Sequence, residues 1–125
     1  MLTYLAIAFG GAFGAVSRYW LSTSVERFNS SGFPLGTFSV NILGSLLIGL
    51  LFIVFMERLQ WAEQYRPLLM VGFLGAFTTF STFSLDALLL FQQGHYNTAL
   101  FYIVSSVVLC LFAAYVGMVM ARAIF

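Results

Sequence analysis

The apolar residues run in four long blocks rather than alternating with polar ones. No charged side chain falls between Met1 and Ser17, Phe28 and Met56, Pro67 and Leu85, or Ala87 and Ala121. A helix that crosses the hydrocarbon core needs about 20 mostly apolar residues. Four such helices use roughly 80 residues and leave short connections, so the pattern predicts an all-α integral membrane protein with four spans in a single domain. The first helix is expected from about Leu2 into the low twenties, with Glu26, Arg27 and Asn29 to Gly32 forming its exit and turn. Pro34 and Gly36 punctuate the start of a second helix, roughly Leu35 to Met56. Glu57, Arg58, Gln60, Glu63 and Arg66 then make a compact polar connection, with Trp61 and Tyr65 as interface anchors. Pro67 suits the first turn of a third helix, where its missing N–H is not needed. Gln92, Gln93, Gly94 and His95 form a very short third connection, and the last span runs to about Ala121, where Arg122 ends it.

Composition narrows the class. The 125 residues are 62% hydrophobic and 7% charged, against roughly a quarter charged in a soluble domain. There is no lysine; the charges are Arg18, Arg27, Arg58, Arg66 and Arg122 against Glu26, Glu57, Glu63 and Asp86. So few charges cannot cover a water-facing globule, and so many apolar and aromatic residues exclude disorder. A net charge of +1 leaves no basic surface for nucleic acid. One histidine, one cysteine and four acids cannot assemble a nucleophilic triad or a metal-ligand set, so no enzyme is expected. Cys110 stands alone in an apolar run, with no intrachain disulfide open to it. No basic side chain precedes Arg18, so the first span is not expected to be a removable leader.

Arginine placement bears on orientation. With four spans, Arg58, Arg66 and Arg122 share one side of the membrane and Arg18 and Arg27 the other, three against two. Topology follows the asymmetry of basic residues, and here there is hardly any. Either the chain inserts both ways and pairs as an antiparallel homodimer with its two-fold axis in the membrane plane, or the tally is too small to decide. Gly10 and Gly14 in the first helix have the small-residue spacing that lets helices approach closely, between subunits or within one.

The third span carries the unusual chemistry. Gly72-Phe73-Leu74-Gly75-Ala76-Phe77-Thr78-Thr79-Phe80-Ser81-Thr82-Phe83-Ser84 holds two glycines and five hydroxyl residues where Leu and Val would be the ordinary choice. Glycine is a poor helix former, and Ser and Thr compete with the backbone for hydrogen bonds. A break around Gly75 to Thr79 and an ordinary helix with hydroxyls bonded to the i−4 carbonyl account for these residues equally well. Phe80 and Phe83 share a helical face amid hydroxyls, with Asp86 a turn later. Aromatic edges are electropositive, so rings presented edge-on beside hydroxyl donors can replace part of an anion's hydration without a fixed cation. Phe73, Phe77, Phe80 and Phe83 can equally form a packing stripe.

This stretch, with Gly10-Gly11 and Arg18 in the first helix and Gly36-Thr37, Asn41 and Gly44 in the second, closely resembles the signature of the Fluc (CrcB) fluoride channels of microbes. The resemblance extends along the whole chain. It implies an antiparallel homodimer with two pores, passive fluoride efflux across the cytoplasmic (inner) membrane, and fluoride resistance. Phe80 and Phe83 would line the fluoride paths, Asn41 would offer its amide to the ion, and Ser81 and Thr82 would form a polar track toward Asp86. Tyr102, Ser106 and Cys110 follow the family's small-polar spacing of four in the last helix, and Arg18 would sit near a vestibule. The resemblance implies a third helix broken near the midplane, where the backbone carbonyls of Gly75 and Thr78 would hold a structural sodium on the dimer axis. Two departures stand out: Asp86 occupies a position where Glu is commoner, and Cys110 one where a small hydroxyl residue is commoner.

The same residues allow blander roles. Asn41 and the pair Tyr102 and Ser106 can bridge helices, Arg18 can snorkel to the headgroups, and Asp86 can sit at the interface. His95 has no ligand partners and is expected at the surface. Two other functions compete. A small dual-topology coupled transporter typically needs an ionisable group within a span, and only Asp86 lies well away from a connection. A non-transporting assembly subunit would use the phenylalanines for contacts alone.

Overall fold

The computed structural model describes residues 1–125 and is helical almost throughout. Helix α1 runs Leu2–Arg27; α2 runs Leu35–Ile53 and continues as a wider, π-wound turn over Val54–Arg58. A 3₁₀ stretch, Gln60–Tyr65, leads to α3 (residues 67–77), which is π-wound over Pro67–Leu74 and α-helical over Gly75–Phe77. Two extended residues separate α3 from α4, Phe80–Gln92, and α5 runs Tyr96–Ile124. Leu35–Arg58, Pro67–Gln92 and Tyr96–Ile124 are each long and apolar enough to cross a membrane. Helix α1 is as long, but its glycines, tyrosines and Arg18 make it less apolar.

Two ends differ from the expected boundaries, for identifiable reasons. Glu26 and Arg27 lie in the last turn of α1 rather than in its exit. The Glu26 carboxylate accepts the Gly36 N–H at 2.7 Å and the Asn29 side-chain amide at 3.1 Å, which ties that turn to the start of α2. The chain reverses between them at Gly32, whose φ of 80° favours glycine. Helix α5 passes Ala121 and Arg122 and ends at Ile124. Arg122 makes a two-pronged pair with Glu57 at 2.9 and 3.1 Å, and Arg58 donates to the Arg122 carbonyl at 3.3 Å. The end of α2 is thus fastened to the last turn of α5.

Packing follows the small residues. An added Cβ at Gly10 would strike the Leu68 carbonyl, at Gly14 the Phe73 carbonyl, and at Gly72 the Ile7 carbonyl. The Gly10/Gly14 pair is therefore spent inside the subunit, seating α1 against the π-wound part of α3. Gly49 and Gly117 do the same for α2 and α5, facing the carbonyls of Ala114 and Leu46. In lipid there is no hydrophobic drive between helices, so such close backbone contact supplies the dispersion that holds them together. Three small clusters fill what remains: Ile53, Phe55, Met70 and Ala121 at one end, Val40, Leu74 and Phe77 in the middle, and Phe83, Leu90 and Tyr102 at the other. Only 24 of 125 residues are buried, so most of the apolar surface faces outward, a balance that suits lipid and not water.

Gly14→Ala is expected to cost about 1–3 kcal/mol of stability, as overpacking does. Gly11→Ala, whose added carbon would meet only the Gly72 carbonyl at 3.9 Å, is expected to stay within about 0.5 kcal/mol. Thermal unfolding in detergent compares the two.

Candidate functional site

The third rod breaks at Thr78 and Thr79, inside the stretch where sequence left a break and a plain helix equally open. Thr78 (φ −84°, ψ 156°) and Thr79 (φ −149°, ψ 117°) are extended. A break among apolar helices frees backbone groups that water cannot reach, and each must find a partner. Asn41 supplies two bonds at once. Its side-chain oxygen accepts the Thr79 N–H at 2.8 Å and its amide donates to the Thr79 carbonyl at 3.0 Å. Arg18 supplies a third, its Nε donating to the Ala76 carbonyl at 2.9 Å. Cations suit a helix C-terminus, where the carbonyl ends of the peptide dipoles gather. Gly44 leaves the room that the Thr78 methyl occupies.

Thr79 then starts α4. Its hydroxyl accepts the Thr82 N–H at 3.2 Å as a side-chain cap, a bond that typically contributes about 1 kcal/mol. The same hydroxyl donates to the Thr82 hydroxyl at 3.1 Å and pairs with that of Ser81 at 3.2 Å. The hydroxyl cluster ends there. No hydrogen bond joins this cluster to Asp86, and Ser84 bonds back to the Phe80 carbonyl at 2.9 Å. Asp86 is reached instead through Tyr102, whose hydroxyl donates to its carboxylate at 3.2 Å.

A groove of about 320 Å³ opens beside the break, lined by Asn41, Ser45, Thr79, Phe80, Phe83, Ser106 and Cys110 among others. The rings of Phe80 and Phe83 lie 5.5 Å apart at 44°, and Phe83 packs 5.1 Å from the ring of Tyr102. Phe83 is buried while Phe80 is 77% exposed on the single subunit. Phe73 and Phe77 stack on each other at 5.8 Å on α3, so the break divides the four phenylalanines into two pairs and no continuous stripe exists. Ser106 is buried, and its hydroxyl has no hydrogen-bond partner. An orphaned buried hydroxyl costs about 1–3 kcal/mol.

No charged side chain lines this groove. It offers ring edges, an amide N–H beyond the one spent on Thr79, hydroxyls and the amino end of α4. Such a set coordinates an anion weakly at several points. A second, polar cavity of about 480 Å³ lies toward the α1–α2 turn, lined by Ser22, Thr23, Glu26, Thr37 and Asp86. Asp86 is part of its lining. Arg18 does not line it; its guanidinium donates to the Ala76 carbonyl at the end of α3. His95 is exposed, at the start of α5.

Of the residues expected at a site, Asn41, Phe80, Phe83 and Ser106 meet in the groove. Ser81 and Thr82 stand beside it, Tyr102 beneath Phe83, and Arg18, Gly75 and Thr78 at the break. Ser45 was missed, although its place one turn beyond Asn41 in an apolar span was a readable signal. The cap that Glu26 provides for α2 carried no such signal.

Asn41→Leu, close in shape, is expected to lower stability by about 1–3 kcal/mol for each Thr79 group left unpaired. Ser45→Ala, which breaks no hydrogen bond within the subunit, should change it little. Denaturant or thermal midpoints of the two purified variants measure the difference.

A family model described as CrcB-like protein, Camphor Resistance (CrcB), matches residues 5–118. A protein of Magnetococcus marinus named fluoride-specific ion channel FluC is 54% identical over 118 residues, covering 94% of this chain and 96% of that one. Proteins of the same name from Hahella chejuensis and Agrobacterium fabrum are 49% identical over 94% of this chain and 93% of the relative, and 42% identical over the full length of both.

Proposed function

This chain belongs to the CrcB-like family, and from that membership we infer that it is a fluoride-specific ion channel, a multi-pass membrane protein and not an enzyme. The observation that carries the reading beyond family membership is the uncharged groove, in which Phe80, Phe83, Asn41 and an unpartnered Ser106 hydroxyl meet beside the helix break. Fluoride holds its water strongly, and a fixed cation would bind it too tightly to release. Ring edges and hydroxyls compensate part of the lost hydration at several weak points, which conduction requires. Ser81 and Thr82 extend this polar wall, and Tyr102 links it to Asp86 at the vestibule. A coupled transporter would need a carboxylate in the path, and the groove lining holds none.

The single subunit leaves its own path half built. Gly75, Phe80 and Ser81 beside the break are exposed and the extended Thr78 and Thr79 only partly buried, and irregular polar backbone cannot face hydrocarbon. A second copy covering this face would close the groove and bury the break. The even arginine tally supports an antiparallel partner, with residues 1–125 forming one four-span unit in which α1 is the fourth crossing. The break also frees oxygen. The carbonyl of Thr78 has no donor, and that of Gly75 loses its helical partner, because the Thr79 N–H goes to Asn41. Two hard oxygens per subunit, doubled by the partner, suit a structural sodium better than any side-chain cluster here, since no group of His, Cys, Asp and Glu could hold a metal. When bound, that ion would neutralise the freed carbonyl dipoles.

The setting is the cytoplasmic, inner membrane. Fluoride enters acid-exposed cells as neutral HF and dissociates inside. A negative interior then drives the anion out by about 2.3 kcal/mol per 100 mV, with no other energy input, which confers fluoride resistance.

Liposomes holding the purified protein are expected to release fluoride and retain chloride when an ionophore shunts the voltage; equal release of both contradicts the reading. Phe80→Ile and Phe83→Ile should each slow fluoride efflux roughly tenfold, the factor that about 1.4 kcal/mol of lost stabilisation gives, with assembly intact by size exclusion. Wild-type efflux from either would remove that ring from the path. Exchange of sodium for a bulky organic cation should lower the thermal midpoint, and returning sodium should restore it. No shift would mean that the Gly75 and Thr78 carbonyls hold no sodium.

A further inference from the structure

Four hydroxyl residues line the groove beside the break: Ser45, Thr78, Thr79 and Ser106. Two are committed. Thr78 bonds back to the Leu74 carbonyl, and Thr79 caps α4 while pairing with Ser81 and Thr82. Ser106 is unpartnered, but its hydroxyl is enclosed. Ser45 differs from all three: it is half-buried, it opens on the groove, and its hydroxyl makes no hydrogen bond within the subunit. A serine in a membrane helix can bond to a carbonyl of its own preceding turn, as Ser84 and Ser105 do here. Ser45 does not, so its donor stays free for whatever occupies the groove. It lies one turn after Asn41, and the two share a face of α2 with their Cβ atoms about 5–6 Å apart. Asn41 spends one amide hydrogen on the Thr79 carbonyl and keeps the other. Two uncommitted donors therefore follow one another along one wall of the groove. Ile48, the next lining residue of α2, has none.

We propose that the Ser45 hydroxyl is a fluoride contact, set one turn from the Asn41 amide so that the ion passes from one donor to the next along α2. The inference rests on the fluoride-channel reading of this groove and adds a contact to it. Fluoride is the smallest halide and the strongest hydrogen-bond acceptor among them, so a donor that replaces a lost water counts most for this ion. The hydroxyl donates and the ion accepts; no covalent bond breaks. Because nothing in the subunit holds the Ser45 hydroxyl, it can turn to follow the ion. A neutral donor holds an anion weakly enough to let it leave, which passage through several sites requires.

Fluoride efflux from liposomes tests this with wild type, Ser45→Ala, Ser45→Cys and Ser39→Ala. Ser39 is the matched control: it also lies on α2 and makes no side-chain hydrogen bond, but it lines a separate apolar groove with Leu43, Leu109 and Phe112. Cysteine keeps the bulk of serine and replaces its donor with a weak one. Ser45→Ala and Ser45→Cys are each expected to slow efflux about tenfold, the factor that loss of one hydrogen bond to a charged group gives, with thermal midpoints unchanged. Ser39→Ala should keep the wild-type rate. Wild-type efflux from Ser45→Ala overturns the inference. Wild-type efflux from Ser45→Cys does so too, since bulk and not a donor would then be what the position supplies, and so does equal slowing in Ser39→Ala. Should Ser45→Ala fail to assemble by size exclusion, Ser45→Cys decides. Wild type that releases no fluoride defeats the channel reading and this contact with it, whereas active wild type beside an equally active Ser45→Ala defeats the contact alone.

Discussion

A polar backbone cannot be left unpaired where water does not reach, and nearly every distinctive residue here answers that constraint. The third rod gives up helical geometry at Thr78 and Thr79. Asn41 then pairs with both backbone groups of Thr79, Arg18 with the carbonyl of Ala76, and the Thr79 hydroxyl with the N–H of Thr82. Three of these four bonds come from α1 and α2 and the fourth from Thr79 itself, so the break is held from outside as well as from within. A plain helix would have needed none of them. What the break gains is a helix start, a hydroxyl cluster and two differently oriented phenylalanines beside it.

The remaining architecture serves to bring those groups together. Gly10, Gly14 and Gly72 let α1 touch the backbone of α3, which puts Arg18 within reach of Ala76. Gly44 clears the room for Thr78, one turn from Asn41. The groove that results carries dipoles and ring edges but no charge. On the proposed reading an anion would meet several weak contacts there in sequence rather than one strong one. Apart from Arg18 at the break, the charged side chains gather toward the ends: Glu57 with Arg122 at one, Glu26 and Asp86 around the polar cavity at the other.

Much of this was legible in the sequence. The uncharged blocks fixed the order of the helices, and Pro67 opens α3 as a proline at that position should. Gly75 to Thr79 marked where the third helix gives way, and Asn41, Phe80, Phe83 and Ser106 were identified before their meeting in one groove was visible. Other features were hidden because they depend on distance between helices. Arg18 could be placed only as a membrane-edge arginine, since nothing in its neighbourhood announces the Ala76 carbonyl 58 positions away. The bond between Tyr102 and Asp86 joins residues 16 positions apart on two helices, and Ser84 turns back on its own backbone. Glu26 read as a connection residue because its role as a cap exists only once α1 and α2 have packed.

The central claim is that an uncharged groove at a helix break selects fluoride. Its most direct test is the reversal potential of the purified wild-type protein in a planar bilayer with fluoride on one side and an equal concentration of chloride on the other. Current that reverses far from zero, on the side set by fluoride, is the expected result. Reversal at zero would mean that both halides cross alike, and the groove would not be a fluoride path.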